Sequence, residues 1–327
     1  MNSFGSIFRV TIWGESHGAS VGVSIDGVPA GIALSVDDFA EDLARRASGR
    51  RGTTPRREPD LPQIVSGVYE GRTTGAPLTV LFENTNTRSG DYSNLVRQPR
   101  PSHADLVAQR KFAGANDPRG GGHFSGRLTL GLVAAGVVAK RVIENSEFAF
   151  TTRIAEIGGC ADENRFDEVI EAAMREGDSV GGVVECCVKG IRHSLGEPFF
   201  DSAESIIAHL LFSIPGIKGI EFGDGFAGAR KRGSERNDVI VDAEGHTLTN
   251  NDGGINGGIA NGNDIVVRVA IKPTPSIAKE QMTYDFAKGE VSPLIIGGRH
   301  DSCIARRAAV VVEAMAAVAL ADLKLQL

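Results

Sequence analysis

Residues 20–35 read SVGVSIDGVPAGIALS, an apolar, strand-like run that passes through a glycine turn to a serine. The same features return in the same order later in the chain, where residues 179–202 read SVGGVVECCVKGIRHSLGEPFFDS. An amphipathic helix is predicted to begin at the final serine of each stretch, and Ser35 has an acid three residues on, as in a capping box. The two stretches therefore predict an internal pseudo-two-fold repeat within one fold.

Strand-like and helix-like segments alternate outward from these two stretches. The predicted strands cover residues 7–13, 20–25, 63–69, 76–83, 180–189, 217–222 and 265–271. The predicted helices cover residues 35–49, 102–112, 125–144, 166–176, 202–213 and 304–325. The glycine- and asparagine-rich residues 249–263 are predicted to be a loop. No linker or shift in composition divides the chain, so we predict a single α+β domain over residues 1–327.

The composition is that of an acidic chain rich in glycine. Lys and Arg total 35 against 41 Asp and Glu, which leaves a formal charge of −6 over 327 residues. This balance argues against binding of nucleic acid or of an anionic membrane over the whole surface. Glycine accounts for 41 residues without a collagen-like period. We therefore expect tight turns and loops that a ligand approaches closely.

The spacing of the cysteines and the length of the apolar runs indicate in which cellular compartment the protein is expected. The four cysteines form no CxxC pair, which disfavours a zinc site or a disulfide framework and favours reduced thiols. The N-terminal residues lack the basic and apolar segments of a signal peptide. The longest apolar run, Ala308–Leu320, contains Glu313 and is too short to cross a bilayer. We expect a soluble, cytoplasmic protein with no membrane partner.

A cluster of basic residues follows the first predicted helix. Guanidinium groups bind phosphate and carboxylate in bidentate geometry, so the cluster predicts an anion site. A solvated basic face is the alternative that the run leaves open. A nucleic-acid site is disfavoured because residues 43–68 contain no aromatic side chain on which bases could stack. The cluster consists of Arg45, Arg46, Arg50, Arg51, Arg56 and Arg57.

Two histidines are candidates for proton transfer. His17 lies in the turn Gly-Glu-Ser-His-Gly between two predicted strands, and His103 lies near a predicted helix start. An imidazole titrates near neutral pH and is suited to acid–base work, although a solvated surface histidine is the common alternative. His300 and Asp301 lie near Cys303, but their spacing matches no standard metal site, so we predict no metal.

Glycine-rich loops are the third candidate feature. Arg119-Gly-Gly-Gly122 precedes a predicted helix and could present backbone N–H groups to a phosphate. The loop is neither a dinucleotide-binding GxGxxG motif nor a P-loop, because no Gly-Lys-Ser/Thr occurs. These observations predict an α+β protein with an anionic ligand, and they do not name a reaction.

Seven motifs follow one another from the first strand to the last helix: Gly14-Glu-Ser-His-Gly18, Gly27-Val-Pro-Ala-Gly31, Thr53-Thr-Pro-Arg-Arg-Glu-Pro-Asp60, Pro101-Ser-His-Ala-Asp105, Arg119-Gly-Gly-Gly122, Lys272-Pro273 and Gly298-Arg-His-Asp301. Together they resemble the motifs of the chorismate synthase family, and the resemblance covers essentially the whole chain. It implies a β-α-β sandwich with an internal pseudo-two-fold repeat, assembled as a homotetramer. It also implies a lyase of the shikimate pathway, which leads to the aromatic amino acids.

The resemblance implies a reaction and roles for individual residues. The substrate would be 5-enolpyruvylshikimate 3-phosphate, which loses phosphate by 1,4-anti elimination and requires reduced FMN. His17 would protonate the departing phosphate, His103 would protonate the flavin, and Asp301 would assist removal of the C6 proton. The implied substrate ligands are Ser16, Arg46, Arg51, Arg100, Arg127 and Arg299. The implied FMN contacts are His123, Phe124, Ser125, Pro215, Gly216, Gly257, Lys272, Pro273, Thr274, Pro275, Ser276 and Arg299.

Two other functions are alternatives to this one. A non-catalytic anion- or nucleotide-binding protein of the same fold is disfavoured because all three implied catalytic side chains are present. An FMN-dependent oxidoreductase would need a site for a hydride donor such as NADPH, and the sequence shows no dinucleotide fingerprint. For the same reason we expect the reduced FMN to be supplied by an external reductase.

Overall fold

The computed structural model describes residues 1–54, 58–86, 94–144, 148–191, 194–298 and 300–327. Among the residues singled out from the sequence, Arg56, Arg57 and Arg299 lie outside these ranges. A layer of helices lies between two antiparallel sheets. One continuous core of buried, mostly aliphatic side chains joins the three layers. This arrangement confirms the α+β class predicted from the sequence and the β-α-β sandwich implied by the family resemblance.

The first sheet uses the N-terminal part of the chain. Its strands lie in the order β1-β2-β3-β7-β4, and every neighbouring pair is antiparallel. A short hairpin, β5 with β6, follows β4. The strands are β1 (Ser3–Phe4), β2 (Arg9–Gly14), β3 (Ser20–Asp26), β4 (Gln63–Ser66), β5 (Val68–Tyr69), β6 (Arg72–Thr73) and β7 (Leu78–Glu83).

The second sheet uses the C-terminal half. Its strands lie in the order β10-β13-β9-β8, again antiparallel throughout. Two small hairpins, β11 with β12 and β14 with β15, stand outside it. The strands are β8 (Ala149–Ile157), β9 (Gly182–Lys189), β10 (Ile217–Phe222), β11 (Ile255–Asn256), β12 (Ile259–Ala260), β13 (Ile265–Ile271), β14 (Gln281–Asp285) and β15 (Glu290–Leu294).

Two long helices form the centre of the sandwich and pack against each other. The third helix of the chain packs on the first sheet, and the last helix packs on the second sheet. Single turns of 3₁₀ helix cover Val36–Phe39, Gly126–Leu128, Glu163–Arg165 and Phe199–Asp201. In Arg119–Phe124 the 3₁₀ turns are interrupted by Gly120, Gly121 and Gly122, whose backbone is not helical. The α-helices are α1 (Ala40–Arg46), α2 (Asp105–Lys111), α3 (Thr129–Ile143), α4 (Phe166–Arg175), α5 (Ala203–Ser213), α6 (Gly225–Gly228), α7 (Gly233–Arg236) and α8 (Ala305–Leu325).

The predicted repeat has a structural counterpart. Strands β3 and β9, which come from the two similar stretches, are interior strands of their sheets. The α-helices that follow them, α1 and α5, both pack on α8. Each half of the chain therefore contributes one outer sheet, and the helix that follows its repeat strand joins the common central layer.

Small residues allow α3 and α8 to approach closely. A Cβ atom built on Gly136 of α3 would lie only 2.3 Å from the Cβ atom of Ala314 in α8. Both helices are almost wholly buried where they meet. Gly136 is therefore required by the distance between the helices and not by an unusual backbone conformation.

Replacing Gly136 with alanine is expected to destabilise the fold by about 1–3 kcal/mol, because the added methyl group overpacks the helix interface. At an uncrowded helix position the same change would stabilise by up to about 1 kcal/mol, because alanine favours the helix. Thermal unfolding of the wild type and the variant shows whether the substitution lowers or raises the stability. A variant that unfolds at a higher temperature than the wild type would contradict the close approach of α3 and α8.

A carboxylate near the end of α8 holds the N-terminal segment. The Asp322 carboxylate accepts hydrogen bonds from the backbone N–H groups of Ser6, Ile7 and Phe8 at 2.8 to 3.1 Å. Asp322 is buried, so these N–H groups supply the partners that a buried carboxylate needs. The connection between β1 and β2 is thereby fixed to the last helix.

Several predicted elements have different bounds in the structure. The first helix was expected to reach Gly49, but α1 ends at Arg46 because Ala47 adopts an extended backbone. The helix expected from Ser102 begins at Asp105, since Ser102 has a left-handed φ of 58°. Residues 249–263, predicted to be a loop, contain the small β11–β12 hairpin. Strands β8, β14 and β15 were not predicted.

Candidate active site

The turn between β2 and β3 holds the first candidate histidine. Ser16 and His17 are buried, and the Ser16 N–H donates to the carbonyl oxygen of Gly122 at 3.1 Å. The Ser16 Oγ atom is also buried and has no hydrogen-bond partner among the described residues. A buried hydroxyl without a partner is costly unless a ligand supplies one. The turn is therefore packed under the glycine loop with a polar atom available for a ligand.

The glycine loop makes contact with both candidate histidines. Gly120, Gly121 and Gly122 all have left-handed φ values, of 60°, 82° and 54°. A Cβ atom on Gly120 would lie 2.5 Å from the His17 ring, and one on Gly121 would lie 3.6 Å from the His103 ring. Only glycine combines this backbone with so close an approach. The loop thus brings His17 and His103 against two consecutive residues.

His103 is held from behind by a carboxylate. Its Nδ1 atom lies 2.7 Å from Oδ1 of Asp105, the first residue of α2. The buried Arg100 guanidinium donates to both oxygens of Asp105 and, at 2.9 Å, to the Ser276 hydroxyl. Arg100 therefore lies on the Nδ1 side of the His103 ring, in contact with the same carboxylate.

Two buried arginines share one carboxylate. The Asp60 carboxylate accepts from Arg46 at 3.2 Å and from Arg127 at 2.8 Å. Arg46 also donates to the Thr129 hydroxyl and to the Gly126 carbonyl. Burial lowers the pKa of Arg46 to about 9, and the neighbouring positive charges act in the same direction. Because burial and the neighbouring charges disfavour the charged form of Arg46, an anion that binds close to its guanidinium would be stabilised.

Asn84 connects this arginine pair to the His17 turn. Its side-chain amide donates to the carbonyl oxygens of Glu15 and Gly18 at 3.0 and 2.9 Å. Its oxygen accepts a hydrogen bond from Nε of Arg127. The position of the arginine is therefore fixed relative to the turn that carries His17.

The remaining candidate acid lies beside the same cluster. Asp301 accepts hydrogen bonds from Arg307 at 3.0 and 3.1 Å and from the backbone N–H of Thr54 at 2.9 Å. Arg307 in turn donates to the backbone carbonyl of Arg46 at 3.0 Å. The structure thus groups Asp301 with the arginines that surround Asp60.

A cavity of about 650 Å³ opens next to these groups. Its apolar wall comes from the two central helices and includes Leu132, Val311, Met315 and Val318. Its polar rim includes Arg307 and several of the implied FMN contacts. The implied contacts that line the cavity are His123, Phe124, Pro215, Gly216, Lys272, Thr274, Pro275 and Ser276, together with His103.

Two lysines face the same cavity. Lys272 donates to the carbonyl oxygen of Ser102 at 2.6 Å, and burial together with the positive charge of Lys218 lowers the pKa of Lys272. The Thr274 Oγ1 atom is buried without a partner among the described residues. An apolar wall, an unpartnered hydroxyl and two ammonium groups fit a planar cofactor that carries a phosphate, such as FMN.

Some implied site residues lie elsewhere in the described structure. Arg51 is half-exposed and pairs with Glu171 of α4 at 2.7 Å, because the chain turns away from the cluster after α1 ends. Gly257 lies in the β11–β12 hairpin and is not part of the cavity lining. Ser125 caps the turn that begins the α3 region, and Pro273 also lies outside the lining.

Four residues with clear roles in the geometry were missed as site residues. Asp60 and Asp105 lie inside motifs already noted, each next to basic residues or histidine, and this signal was present in the sequence. Asn84 and Arg307 lie outside the motifs, and the contacts that join them to the arginines of the site, Asn84 to Arg127 and Arg307 to the Arg46 carbonyl, link distant parts of the chain.

The residue ranges that the structure describes show neither a metal cluster nor a membrane span. No group of three or more His, Cys, Asp and Glu side chains there is arranged to hold a metal ion. No helix in those ranges combines the length and the apolar character needed to cross a bilayer.

Comparison with known proteins gives one consistent family. The model of the family described as "Chorismate synthase" matches residues 8–325. A chorismate synthase of Chitinophaga pinensis is 59% identical over 325 residues, which cover 99% of this chain and 97% of the relative. A chorismate synthase of Thermococcus gammatolerans is 46% identical over 341 residues, which cover 97% of this chain and 96% of the relative.

A solved structure agrees with the sequence relatives. The structure titled "Crystal Structure of Chorismate Synthase" superimposes with a TM-score of 0.77 at 28% identity, covering 99% of this chain and 93% of that chain. The fold, the ordered motifs and the relatives agree along the whole length. The chain therefore belongs to the chorismate synthase family, whose members are lyases.

Proposed function

We propose that the protein is a carbon–oxygen lyase that converts 5-enolpyruvylshikimate 3-phosphate to chorismate and phosphate. In this reaction the bond from C3 to the phosphate oxygen breaks, a proton leaves C6, and the electron pair of the C–H bond completes the new diene. The observation that carries the proposal is the contact of His17 and His103 with one glycine loop beside buried arginines.

The arginines suit the charge of the substrate. The substrate carries two carboxylates and a phosphate, whereas the protein as a whole is acidic. Arg46 and Arg127 are buried and fixed by Asp60, so they form a preorganised cationic site. Such a site stabilises the charge that develops on a departing phosphate. Ser16 supplies a hydroxyl from the adjoining turn.

His17 is the proposed proton donor to that phosphate. It is buried between the turn and the glycine loop, so its ring has a restricted position. A positioned general acid facilitates departure of a phosphate by neutralising the developing charge. Asp301 is the residue proposed to assist removal of the C6 proton, and its carboxylate is held by Arg307 and the Thr54 backbone.

Reduced FMN is the proposed cofactor, and it would supply electron density transiently while the C–O bond breaks. The apolar wall from α3 and α8 would contact the ring system and exclude water. Lys218 and Lys272 would bind the phosphate, and the Thr274 hydroxyl would gain a partner. His103 would hold a proton at the edge of the cavity.

The assembly and location belong to the same proposal. We propose one domain over residues 1–327, a homotetramer and a cytoplasmic location, with no nucleic-acid or membrane partner. The continuous core supports the single domain. Phe199 and Phe200 are 86% and 91% exposed, and Phe226 is 74% exposed. Exposed aromatic side chains of this kind are typical of surfaces covered by another subunit.

Phosphate release from 5-enolpyruvylshikimate 3-phosphate under anaerobic conditions tests the function. We expect release, together with chorismate absorbance, with chemically reduced FMN and none with oxidised FMN. Intact substrate binding without release in either condition would favour the non-catalytic alternative. A third reaction contains oxidised FMN and NADPH without a reductase, and turnover there would contradict the need for an external reductase.

Replacing Arg46 with alanine is expected to weaken substrate binding by about 30-fold or more, because it removes a buried charged hydrogen-bond donor. Titration calorimetry with the substrate measures the affinity, and thermal unfolding shows whether the variant is folded. Arg50→Ala is the matched control, since Arg50 belongs to the same basic run but is exposed. Equal affinity for the substrate in both variants would contradict a role for Arg46 in substrate binding.

A further inference from the structure

The His103 ring has two possible partners on one nitrogen. Its Nδ1 atom lies 2.7 Å from Asp105 Oδ1 and 3.1 Å from Arg100 Nη2. A carboxylate accepts a hydrogen bond from a protonated Nδ1, whereas a guanidinium donates to an unprotonated one. The two contacts therefore require different tautomers of the ring, and only one of them can be the hydrogen bond.

The geometry favours the carboxylate. The contact to Asp105 is the shorter of the two, and hydrogen bonds to a charged acceptor are the stronger kind. Arg100 Nη2 already donates to Asp105 Oδ1 at 2.7 Å. The proton consequently lies on Nδ1 of His103, and Nε2 is on the opposite side of the ring.

Arg100 fixes the carboxylate itself. Its Nε and backbone N–H donate to Oδ2 of Asp105 at 2.8 and 3.1 Å, while Nη1 donates to the Ser276 hydroxyl. Burial alone would raise the pKa of Asp105, but hydrogen bonds from Arg100 and His103 hold that pKa well below its ordinary value. The carboxylate is therefore ionised and immobile throughout the neutral pH range.

We propose that Asp105 is a positioning residue that, together with Arg100, holds His103 as the Nδ1-protonated tautomer and leaves Nε2 to exchange protons at the cavity. This role rests on the proposed function, because it assumes that His103 serves the reaction. It gives Arg100 a different task from the substrate binding implied by the family resemblance. A carboxylate that sets the tautomer of an imidazole is a recurring device in acid–base catalysis.

The test uses the full chain without ligands, labelled with ¹⁵N-histidine. Nitrogen chemical shifts at alkaline pH, where imidazole is neutral, report which nitrogen carries the proton. The His103 signal is assigned from its loss in His103→Gln. We expect Nδ1–H in the wild type and Nε2–H in Asp105→Asn, because the amide that replaces Oδ1 donates to the ring. The Nε2–H tautomer in the wild type would overturn the proposal, whatever the variants do.

A matched control and a second variant complete the test. Asp224→Asn removes another carboxylate paired with an arginine, at 3.1 Å from Arg236, and should leave the His103 tautomer unchanged. If Asp105→Asn does not fold, Asp105→Ser replaces it and should lose the Nδ1–H preference. A folded Asp105 variant that keeps Nδ1–H would overturn the proposal.

Turnover separates this inference from the proposed function. We expect kcat of Asp105→Asn to fall by about 100-fold or more with little change in KM for the substrate. No phosphate release by the wild type would overturn the proposed function but would leave the tautomer result unaffected. Normal kcat in a variant with the switched tautomer would show that the tautomer has no role in the reaction, and would overturn the inference.

Discussion

Replacing His17 with alanine is expected to lower kcat for phosphate release by about 100- to 10,000-fold, the range that a positioned general acid contributes. Flavin binding is expected to change little, because His17 contacts the glycine loop and is not part of the cavity lining. Stopped-flow absorbance of chorismate measures the rate, and equilibrium titration with FMN measures the binding. The two measurements together separate a catalytic defect from a collapsed site.

Two further variants make the His17 result specific. His17→Gln retains a hydrogen-bonding side chain but cannot act as an acid near neutral pH, and it should be nearly as impaired. His246→Ala removes an exposed histidine whose ring lies 2.7 Å from Asp242 in its own loop, and it should be as active as the wild type. Wild-type turnover in His17→Ala would assign proton donation to another group.

The second large effect is expected from Gly120→Ala. The new Cβ atom would lie 2.5 Å from the His17 ring and 3.0 Å from Ser16 Oγ, so both side chains must move. Displacement of a catalytic group by about 1 Å can lower a rate by about 100-fold. We therefore expect kcat to fall by about 10- to 100-fold, which steady-state kinetics measures.

Gly114→Ala is the control for backbone strain. Gly114 also has a left-handed φ, of 78°, but no atom lies within 4 Å of the position that its Cβ would occupy. Both variants should lose about 1 kcal/mol of stability from the left-handed backbone. Only Gly120→Ala should lose activity. Equal rates in the two variants would show that the glycine loop does not position His17.

The sequence predicted the parts of the site that local patterns encode. His17 and His103 lie in turns between regular elements, and the three consecutive glycines after Arg119 predict the glycine loop. Burial of the basic cluster was only partly predictable. Arg46 faces the site, whereas Arg45, its neighbour, pairs with Glu313 of α8. A change of one position around a helix turns a side chain by about 100°, so the two arginines have different surroundings.

The rest of the site depends on contacts between distant segments. Asp60 bridges Arg46 and Arg127 across three regions of the chain, and Arg307 reaches back to the end of α1. Neither the periodicity of the sequence nor the spacing of its motifs predicts these contacts. Similarly, β14 and β15 form a separate two-stranded sheet and have exposed residues on one face, so their apolar pattern is weak.

The attachment of the N-terminal segment to Asp322 has a consequence for the order of events during synthesis. Met1 to Phe4 line one side of the cavity, and Val311, Met315 and Val318 of α8 line another. The ribosome synthesises the N-terminal residues first, yet Ser6, Ile7 and Phe8, which follow them in the chain, gain their hydrogen-bonding partner only after Asp322 has been added. The cavity is therefore completed only after α8 has been synthesised and has docked, so the proposed flavin would bind the finished fold and not the growing chain.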